Sequence, residues 1–410
     1  MKPTTYFSLL YNLKYRRLLY SNLINRLGDA IDTLAFSWIV YAFTGEGLWA
    51  AIIFAINKFP TFIVLPFAGA YVEKLDKKCT LIICDIIRCT FVVSLLIVFL
   101  TEQLSVPILA VFAFCISMAE AFRMPASTAF LTQMLDKDDF DRGVTLNVAA
   151  STIVEMIGAA LGGMFITYLG THIAIVTDAV SFVISIFFVL RIPHAENIEE
   201  HIKTAGNWSL LKSGLVYIKS CSVLVSTFVM VVLANAAMSP IDSLQTVVVV
   251  DIFHGEASYL SVLNICLSIG MLLGGMLYPT IRTHVKDWVL FRLAFLFIAF
   301  LYFVTALAGF AESLNGVFTI AFCGLYVFYG VAASFLAIGL GLLLLENTEQ
   351  SYMARVNTWY SAIGAAATPA AAALAGYLTE YFSISVIYIA VAGIILCSLF
   401  LSILKNYVKR

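Results

Sequence analysis

Apolar residues fill most of the chain in stretches of roughly 20 residues, separated by short polar turns, and a helix of that length spans the hydrocarbon core of a bilayer. The pattern predicts twelve membrane-spanning helices. They lie near residues 18–43, 48–72, 80–100, 107–127, 143–168, 171–191, 222–250, 257–280, 288–309, 315–345, 356–378 and 384–404.

One longer polar segment divides these spans into two sets of six. We therefore predict an N-terminal six-helix bundle over 1–191, a cytoplasmic linker over 192–221 and a C-terminal six-helix bundle over 222–410. A weak internal repeat supports the division, because "DRGVTLNVAAS" (141–151) opens span five and "MARVNTWYS" (353–361) opens span eleven. The predicted fold class is an all-α polytopic membrane protein with two pseudo-symmetric six-helix bundles, a known transporter plan.

The basic residues predict how the spans are oriented. Nineteen of the 24 Lys and Arg lie in alternate loops counted from the N-terminus, and the opposite loops carry none. Cytoplasmic loops are the ones enriched in Lys and Arg. Both termini and the linker are therefore predicted to be cytoplasmic, in a protein of the cell membrane.

Composition excludes several functional classes. The chain is 61% hydrophobic and 12% charged, against about 45–50% and 25% in soluble domains. A net charge of −1 gives no basic surface for nucleic acid. The sequence has no CxxC, Cys/His cluster, HExxH or P-loop pattern, so we expect no metal, no cofactor, no ATP-driven pump and no enzyme.

Three ionisable residues inside span one are the first candidates for function. Arg26, Asp29 and Asp32 are spaced three apart and share a helix face. A charge in the membrane costs at least ~2.5–3.5 kcal/mol, so it is retained for a purpose. Folding the first helical hairpin at its turn places Lys58 of span two at the depth of Asp32. Either Asp29 or Asp32 couples protons or binds substrate, or Arg26–Asp29 and Lys58–Asp32 form a static lattice of ion pairs.

Further polar residues fall within spans five and seven. Glu155 lies at the centre of span five with no cation in the same span, which suits a proton carrier or a protonated structural donor. Asn235 and Asp242 are seven apart in span seven and are predicted to line the cavity wall of the second bundle.

Charges near the cytoplasmic ends of spans two to four form a predicted gate. Spans three and four each hold a pair spaced i, i+3: Asp85 with Arg88, and Glu120 with Arg123. Joined to Glu73 and Lys74, these pairs could form a breakable latch between two conformations. Helix-end pairs that reach toward the interface are the alternative.

The loop between spans two and three carries a family resemblance. "GAYVEKLDKK" (69–78) resembles the major facilitator superfamily signature G-x-x-x-D-R-x-G-R-K. Gly69, Lys77 and Lys78 match; Glu73 and Lys74 stand for the Asp and the first Arg, and Asp76 replaces the second Gly.

Other motifs are similar to the branch that contains macrolide, other drug and siderophore exporters: "FRMPAS" (122–127), "GAALGG" (158–163), "DAVSF" (178–182) and "GMLLGG" (270–275). The Arg that this superfamily usually carries in the middle of span four is replaced by Ile116, with Arg123 nearer the cytoplasm.

The resemblance implies a two-bundle transporter that binds substrate near the membrane midplane and exposes it to each side in turn. We expect a monomeric exporter of an amphipathic, drug-like small molecule that works in the lipid bilayer by proton antiport. The alternative is export of a siderophore or lipid-like metabolite without strict proton coupling. A receptor or scaffold built on a transporter fold is a further alternative, and it would leave the charges of span one dispensable.

Overall fold

The computed structural model describes residues 6–135, 137–193, 207–310, 316–349 and 352–408, and every regular element in these ranges is helical. The helices are α1 (Leu13–Thr44), α2 (Gly47–Lys74), α3 (Lys77–Leu100), α4 (Val106–Thr132), α5 (Lys137–Met164), α6 (Thr171–Leu190), α7 (Asn207–Ser220), α8 (Ser222–Ser243), α9 (Gln245–Val247), α10 (Ala257–Arg282), α11 (Asp287–Gly309), α12 (Gly316–Glu346), α13 (Met353–Leu378) and α14 (Ile384–Val408). Short π-helical segments extend α5 over Phe165–Leu169 and follow α9 over Val248–Ile252.

Within the described residues, ten helices are long and apolar enough to cross a membrane, so the chain is a multi-pass membrane protein. They are α2 to α6, α8 and α10 to α13. Two helices are not among the ten. The 32-residue α1 carries the charges of the predicted span one, and the apolar stretch of α14 is the shorter 384–400.

Contacts within the chain define two compact units. One comprises residues 1–43 and 56–203, and the other comprises 44–55 and 204–410. The final part of the predicted linker is the helix α7, which packs on the start of α13. Tyr217 stacks on Tyr352 with ring centroids 4.3 Å apart, and the Arg355 guanidinium donates to the Ser213 hydroxyl at 3.0 Å.

The first unit is held together by small residues at helix crossings. A Cβ added to Gly28 of α1 would lie 2.0 Å from the Ser181 hydroxyl of α6. A Cβ on Gly158 of α5 would lie 2.8 Å from the Leu27 carbonyl of α1. Gly158 belongs to the "GAALGG" run, and small residues of this kind allow membrane helices to approach closely.

The second unit uses the same device between α10 and α12. A Cβ on Gly270 would lie 1.9 Å from the Val327 carbonyl, and one on Gly330 would lie 2.1 Å from the Leu267 carbonyl. Elsewhere in this unit α8 packs mainly on α13, and α11 mainly on α14.

Candidate functional site

Two buried arginines join α3 to α4. Arg88 Nη1 donates to Glu120 Oε2 at 2.7 Å, and Arg123 Nε donates to Asp85 Oδ1 at 2.6 Å. The predicted pairing within each helix is therefore wrong. The helices run antiparallel around the turn near residue 104, so Asp85 lies level with Arg123 and Arg88 lies level with Glu120. Opposite charges then face each other across the helix pair.

Arg88 is also the cation that binds Asp29 of α1. Its second terminal nitrogen donates to Asp29 Oδ1, and Nη1 donates to Asn25 Oδ1 at 3.1 Å. The guanidinium carbon lies 4.5 Å from the centroid of the Phe182 ring. The expected Arg26–Asp29 pair is not formed, because Asp29 reaches across to α3 instead.

Asp85 accepts hydrogen bonds from three side chains, and each of these donors lies on a different helix. It is fully buried and accepts from Arg123, from Asn25 Nδ2 at 3.2 Å and from Ser185 Oγ at 2.6 Å. Ser185 in turn accepts from the Ser21 hydroxyl at 2.8 Å, because its own proton is directed at Asp85. These contacts bind α1, α3, α4 and α6 into one polar network.

Asp32 and Asp178 complete this charge cluster, which we define as Asp29, Asp32, Asp85, Arg88, Glu120, Arg123 and Asp178. Asp178 is buried and interacts electrostatically with Asp29, Asp32 and Arg88. Asp32 Oδ1 is buried and has no hydrogen-bond partner within the described residues. The ion pairs of the described residues do not include the expected pair of Asp32 with Lys58, and Lys58 is exposed on α2.

Sequence reasoning missed the neutral members of the network. Asn25 and Ser185 solvate the charges directly, and a second group continues the network toward α4 and α5. There Ser127 Oγ donates to Asn22 Oδ1 at 2.8 Å, and Asn22 Nδ2 donates to Asn147 Oδ1 at 3.2 Å. The signal was available, since Asn22, Asn25 and Asp29 recur at helical spacing along one side of α1.

The remaining first-unit candidates lie outside the cluster. Glu155 is exposed on α5. Asp76 caps α3 by accepting from the Cys79 amide at 2.9 Å, which gives a physical reason for an Asp where the family has Gly. Lys77 is buried at the start of α3. The surroundings of Gly69 and the side chains of Glu73 and Lys74 lie outside what the structure describes.

Lys78, the last basic residue of the signature, ties α3 to the end of α6. Its ammonium donates to the Ile192 carbonyl at 2.7 Å and to the Leu190 carbonyl at 3.1 Å. Lys and Arg side chains near a helix C-terminus commonly satisfy its last carbonyls in this way. Lys78 therefore stabilises the junction between α3 and the end of α6.

The second-unit candidates are not joined by any described hydrogen bond to each other. Asn235 Nδ2 donates to the Val231 carbonyl of its own helix at 2.8 Å. Asp242 is exposed and accepts from the Tyr329 hydroxyl at 3.4 Å.

A separate charged group in the second unit was not singled out from the sequence. Arg282 of α10 binds Asp287 of α11, with Nε 3.0 Å from Oδ1, and Glu346 of α12, with Nη1 2.8 Å from Oε1. The Tyr278 hydroxyl also donates to Asp287 at 2.8 Å.

Comparisons with known proteins show that the chain is similar to transporters. The family described as transmembrane secretion effector matches residues 4–408. The multidrug efflux pump Tap of Mycolicibacterium fortuitum is 26% identical over 282 residues, which cover 66% of this chain and 67% of Tap. Macrolide efflux protein A of Streptococcus pyogenes is 19% identical over 404 residues, 98% of both proteins.

Solved transporters share the fold. The nucleoside transporter NupG matches with a TM-score of 0.76 at 13% identity, covering 95% of this chain and 98% of NupG. A bacterial homologue of the iron transporter ferroportin matches with a TM-score of 0.72 at 14% identity, covering 94% and 97%. These relatives and neighbours are transporters rather than enzymes, and the chain belongs to the transmembrane secretion effector family of the major facilitator superfamily.

Proposed function

We propose that the chain exports an amphipathic, drug-like small molecule by alternating access, and that inward proton flow through the charge cluster drives export. The observation that carries the proposal is the imbalance of buried charge. Five carboxyl groups, from Asp29, Asp32, Asp85, Glu120 and Asp178, outnumber the guanidinium groups near them. These are the groups of Arg88 and Arg123 in the cluster and that of Arg26, which acts on Glu120.

Such a cluster reaches a low net charge only when some of its carboxyls carry protons, because uncompensated buried charge is costly. Asp85 is held by three donors, whereas Asp32 has an oxygen without a hydrogen bond in the described structure. Asp32 is therefore the group whose protonation changes the cluster most easily. Asp29 shares Arg88 with Glu120, so a proton on Asp32 changes how that cation divides its contacts.

The efflux relatives support export and a small-molecule substrate. In this proposal the chain has twelve spans, formed by the ten apolar helices together with α1 and α14. Asp29 of α1 is compatible with a span because it is paired with Arg88 of α3. Both termini face the cytoplasm of the cell membrane, as the loop charges predict. The protein works as a monomer in the lipid bilayer.

The test is uptake of candidate amphipathic compounds into inverted membrane vesicles with an acidic lumen. Wild-type uptake should exceed that of vesicles without a pH gradient and should be lost when a protonophore collapses the gradient. Asp32→Asn and Asp29→Asn should weaken or remove the dependence on the gradient, and Glu155→Gln tests the exposed carboxyl of α5. Glu102→Gln is the matched control, because Glu102 is an exposed loop carboxyl between α3 and α4.

If uptake by Asp29→Asn, Asp32→Asn and Glu155→Gln depends on the pH gradient as strongly as wild-type uptake does, none of these residues couples export to protons. Uptake that survives collapse of the gradient would instead favour uncoupled export of a siderophore or lipid-like metabolite. Absence of uptake for every candidate compound in wild type, with unchanged folding when both acids of α1 are neutralised, would favour a receptor or scaffold built on this fold.

A further inference from the structure

The second unit contains a deep apolar groove that the transport proposal does not use. Its volume is about 660 Å³, within the range of small-molecule sites. Its walls come from α8, α11, α13 and α14, and nearly all of its lining side chains are aliphatic or aromatic. The lining side chains that carry a polar group are Ser226, Trp288, Arg292 and Ser398.

The groove exists because its walls are two separately packed helix pairs. α8 packs on α13 and α11 packs on α14, while small residues occupy the space where the pairs face each other. These small residues include Ala236, Ala237, Ala371, Ala375 and Ala390. The edge is accessible rather than enclosed, since Val229, Leu233 and Leu374 on it are exposed.

The groove is long enough for an acyl chain. Its lining along α8 runs from Val225 to Pro240, which is ~22 Å at 1.5 Å per residue, against about 30 Å for the hydrocarbon core of a bilayer. An extended hydrocarbon chain lying in it would meet aliphatic side chains for most of that distance.

A cation lies at one end of this apolar surface. Arg292 is half-buried, and its guanidinium has no hydrogen bond or ion pair within the described residues. No Asp or Glu lines the groove. The nearest acid on the same helix, Asp287, is already held by Arg282 and Tyr278. An arginine near the end of a membrane helix is stabilised by interfacial water or by an anionic partner, and no anionic partner for Arg292 lies within the described residues.

Trp288 lies one turn before Arg292 and lines the same end of the groove. Tryptophan is enriched where membrane proteins meet the headgroup layer. In the orientation proposed above, this end of α11 faces the cytoplasm, and the cytoplasmic leaflet is the one rich in anionic lipids. Basic pockets between helices on that side of a membrane bind anionic headgroups.

We propose that this groove is a binding site for an anionic phospholipid of the surrounding bilayer. One acyl chain lies along α8 and α14, and the phosphate accepts hydrogen bonds from Arg292. A lipid fits because a single ligand supplies both an apolar chain of the right length and the missing negative charge. The site lies outside the charge cluster, so it can be tested apart from transport.

The first test measures which lipid the full-length protein retains. Wild type, Arg292→Gln and Arg292→Lys are placed in mixed micelles containing phosphatidylglycerol and phosphatidylcholine, and bound lipid is counted by native mass spectrometry. Arg292→Gln should lower the preference for phosphatidylglycerol about fivefold, the factor expected from one basic residue near an anionic surface. Arg292→Lys should keep most of it.

The matched control is Arg191→Gln. Arg191 is an exposed arginine at the end of α6 whose guanidinium lies over the Phe187 ring, and it borders no described groove. Its loss removes the same charge from another helix end and should leave the lipid preference unchanged. An equal effect of the two substitutions would reduce the result to general surface charge and overturn the site.

A second measurement tests the acyl-chain part without removing the charge. Ala390→Phe fills the groove from an exposed position on α14, so it should displace lipid without disturbing a packed core. Brominated phosphatidylglycerol should quench the fluorescence of Trp288, judged against Trp288→Phe, and Ala390→Phe should weaken that quenching. Unchanged quenching in Ala390→Phe and Arg292→Gln would overturn the proposal. Displacement of the lipid by a transported compound at its transport concentration would assign the groove to substrate instead.

Discussion

At the scale of single residues, the stability of the charge cluster depends on which cations and hydrogen-bond donors contact each carboxylate. Arg88 of α3 reaches two other helices, since it binds Asp29 and Asn25 of α1 and Glu120 of α4 at once. Replacing such a cation leaves buried acids without a partner, which costs about 3–5 kcal/mol. The identity of each pair therefore matters more than the number of charges.

Double-mutant cycles can distinguish the observed pairs from those predicted along the sequence. Asp85→Asn with Arg123→Gln should show a coupling of ~1–3 kcal/mol in the free energy of unfolding, because these side chains are in contact across α3 and α4. Arg88→Gln with Glu120→Gln should do the same. The pairs within a helix should show much weaker direct coupling. The measurement is denaturant or thermal unfolding of the purified protein in one detergent.

The control cycle uses Asp139 and Arg142. This exposed pair has the same i, i+3 spacing, with its charged atoms 3.7 Å apart, and should contribute only a few tenths of a kcal/mol. Stronger coupling of Asp85 with Arg88 than with Arg123 would contradict the cross-helix arrangement.

The sequence located most of the charged residues of the cluster but not their partners. Intramembrane acids stand out against an apolar background, so Asp29, Asp32, Asp85 and Glu120 could be singled out without a structure. Partners are set by which helices pack together, and spacing along one helix carries no such information. Asn25 and Ser185 were missed because neutral polar residues are common in membrane helices and only their contacts distinguish them.

At the scale of helices, glycines decide how closely α10 and α12 approach. Gly270 and Gly330 each face the backbone of the other helix, at distances that no Cβ can occupy without displacement of a helix. Close contact of this kind gives transmembrane helices their packing energy, because lipid provides no hydrophobic force between them.

Gly330→Ala should therefore lower stability, whereas Gly324→Ala in the same helix should not. A Cβ at Gly324 meets nothing within 4 Å, and alanine there gains about 0.5–1 kcal/mol from its better helix propensity. A Cβ at Gly330 overlaps the Leu267 carbonyl, so overpacking of about 1–3 kcal/mol outweighs that gain. Thermal unfolding of both variants in the same detergent measures the difference. Equal shifts in Tm would show that the α10–α12 contact yields to a methyl group.

Helix positions were largely predictable, because long apolar runs and basic turns define where membrane helices begin and end. Span two, for example, was placed at 48–72 and α2 covers Gly47–Lys74. The apolar pattern did not predict α7, because polar or small residues interrupt the apolar positions of that helix. α7 was taken as part of a polar linker, yet Ile218 is buried and Tyr217 stacks on Tyr352. Its few apolar residues meet a surface that only the folded second unit provides.

At the scale of the whole molecule, the strongest sequence inference is the asymmetric placement of Lys and Arg. It predicts the turn between α2 and α3 on the cytoplasmic side and the turn between α3 and α4 outside. Insertion follows this asymmetry because short basic loops are retained in the cytoplasm. Every functional proposal that names a direction of transport depends on that orientation.

Natural Cys79 allows the orientation to be tested directly. It is exposed in the first turn of α3, beside the basic residues of the loop signature. A membrane-impermeant maleimide should label it in inverted vesicles but not in intact cells, and Cys79→Ser should remove that label. In the Cys79→Ser background, Gln103→Cys at the other end of α3 should react with the opposite preference, because Gln103 is exposed in the turn between α3 and α4. Labelling of both positions from the same side would contradict a membrane-spanning α3. Labelling of Cys79 from outside would invert the topology and, with it, place Arg292 in the outer leaflet and reverse the direction assigned to export.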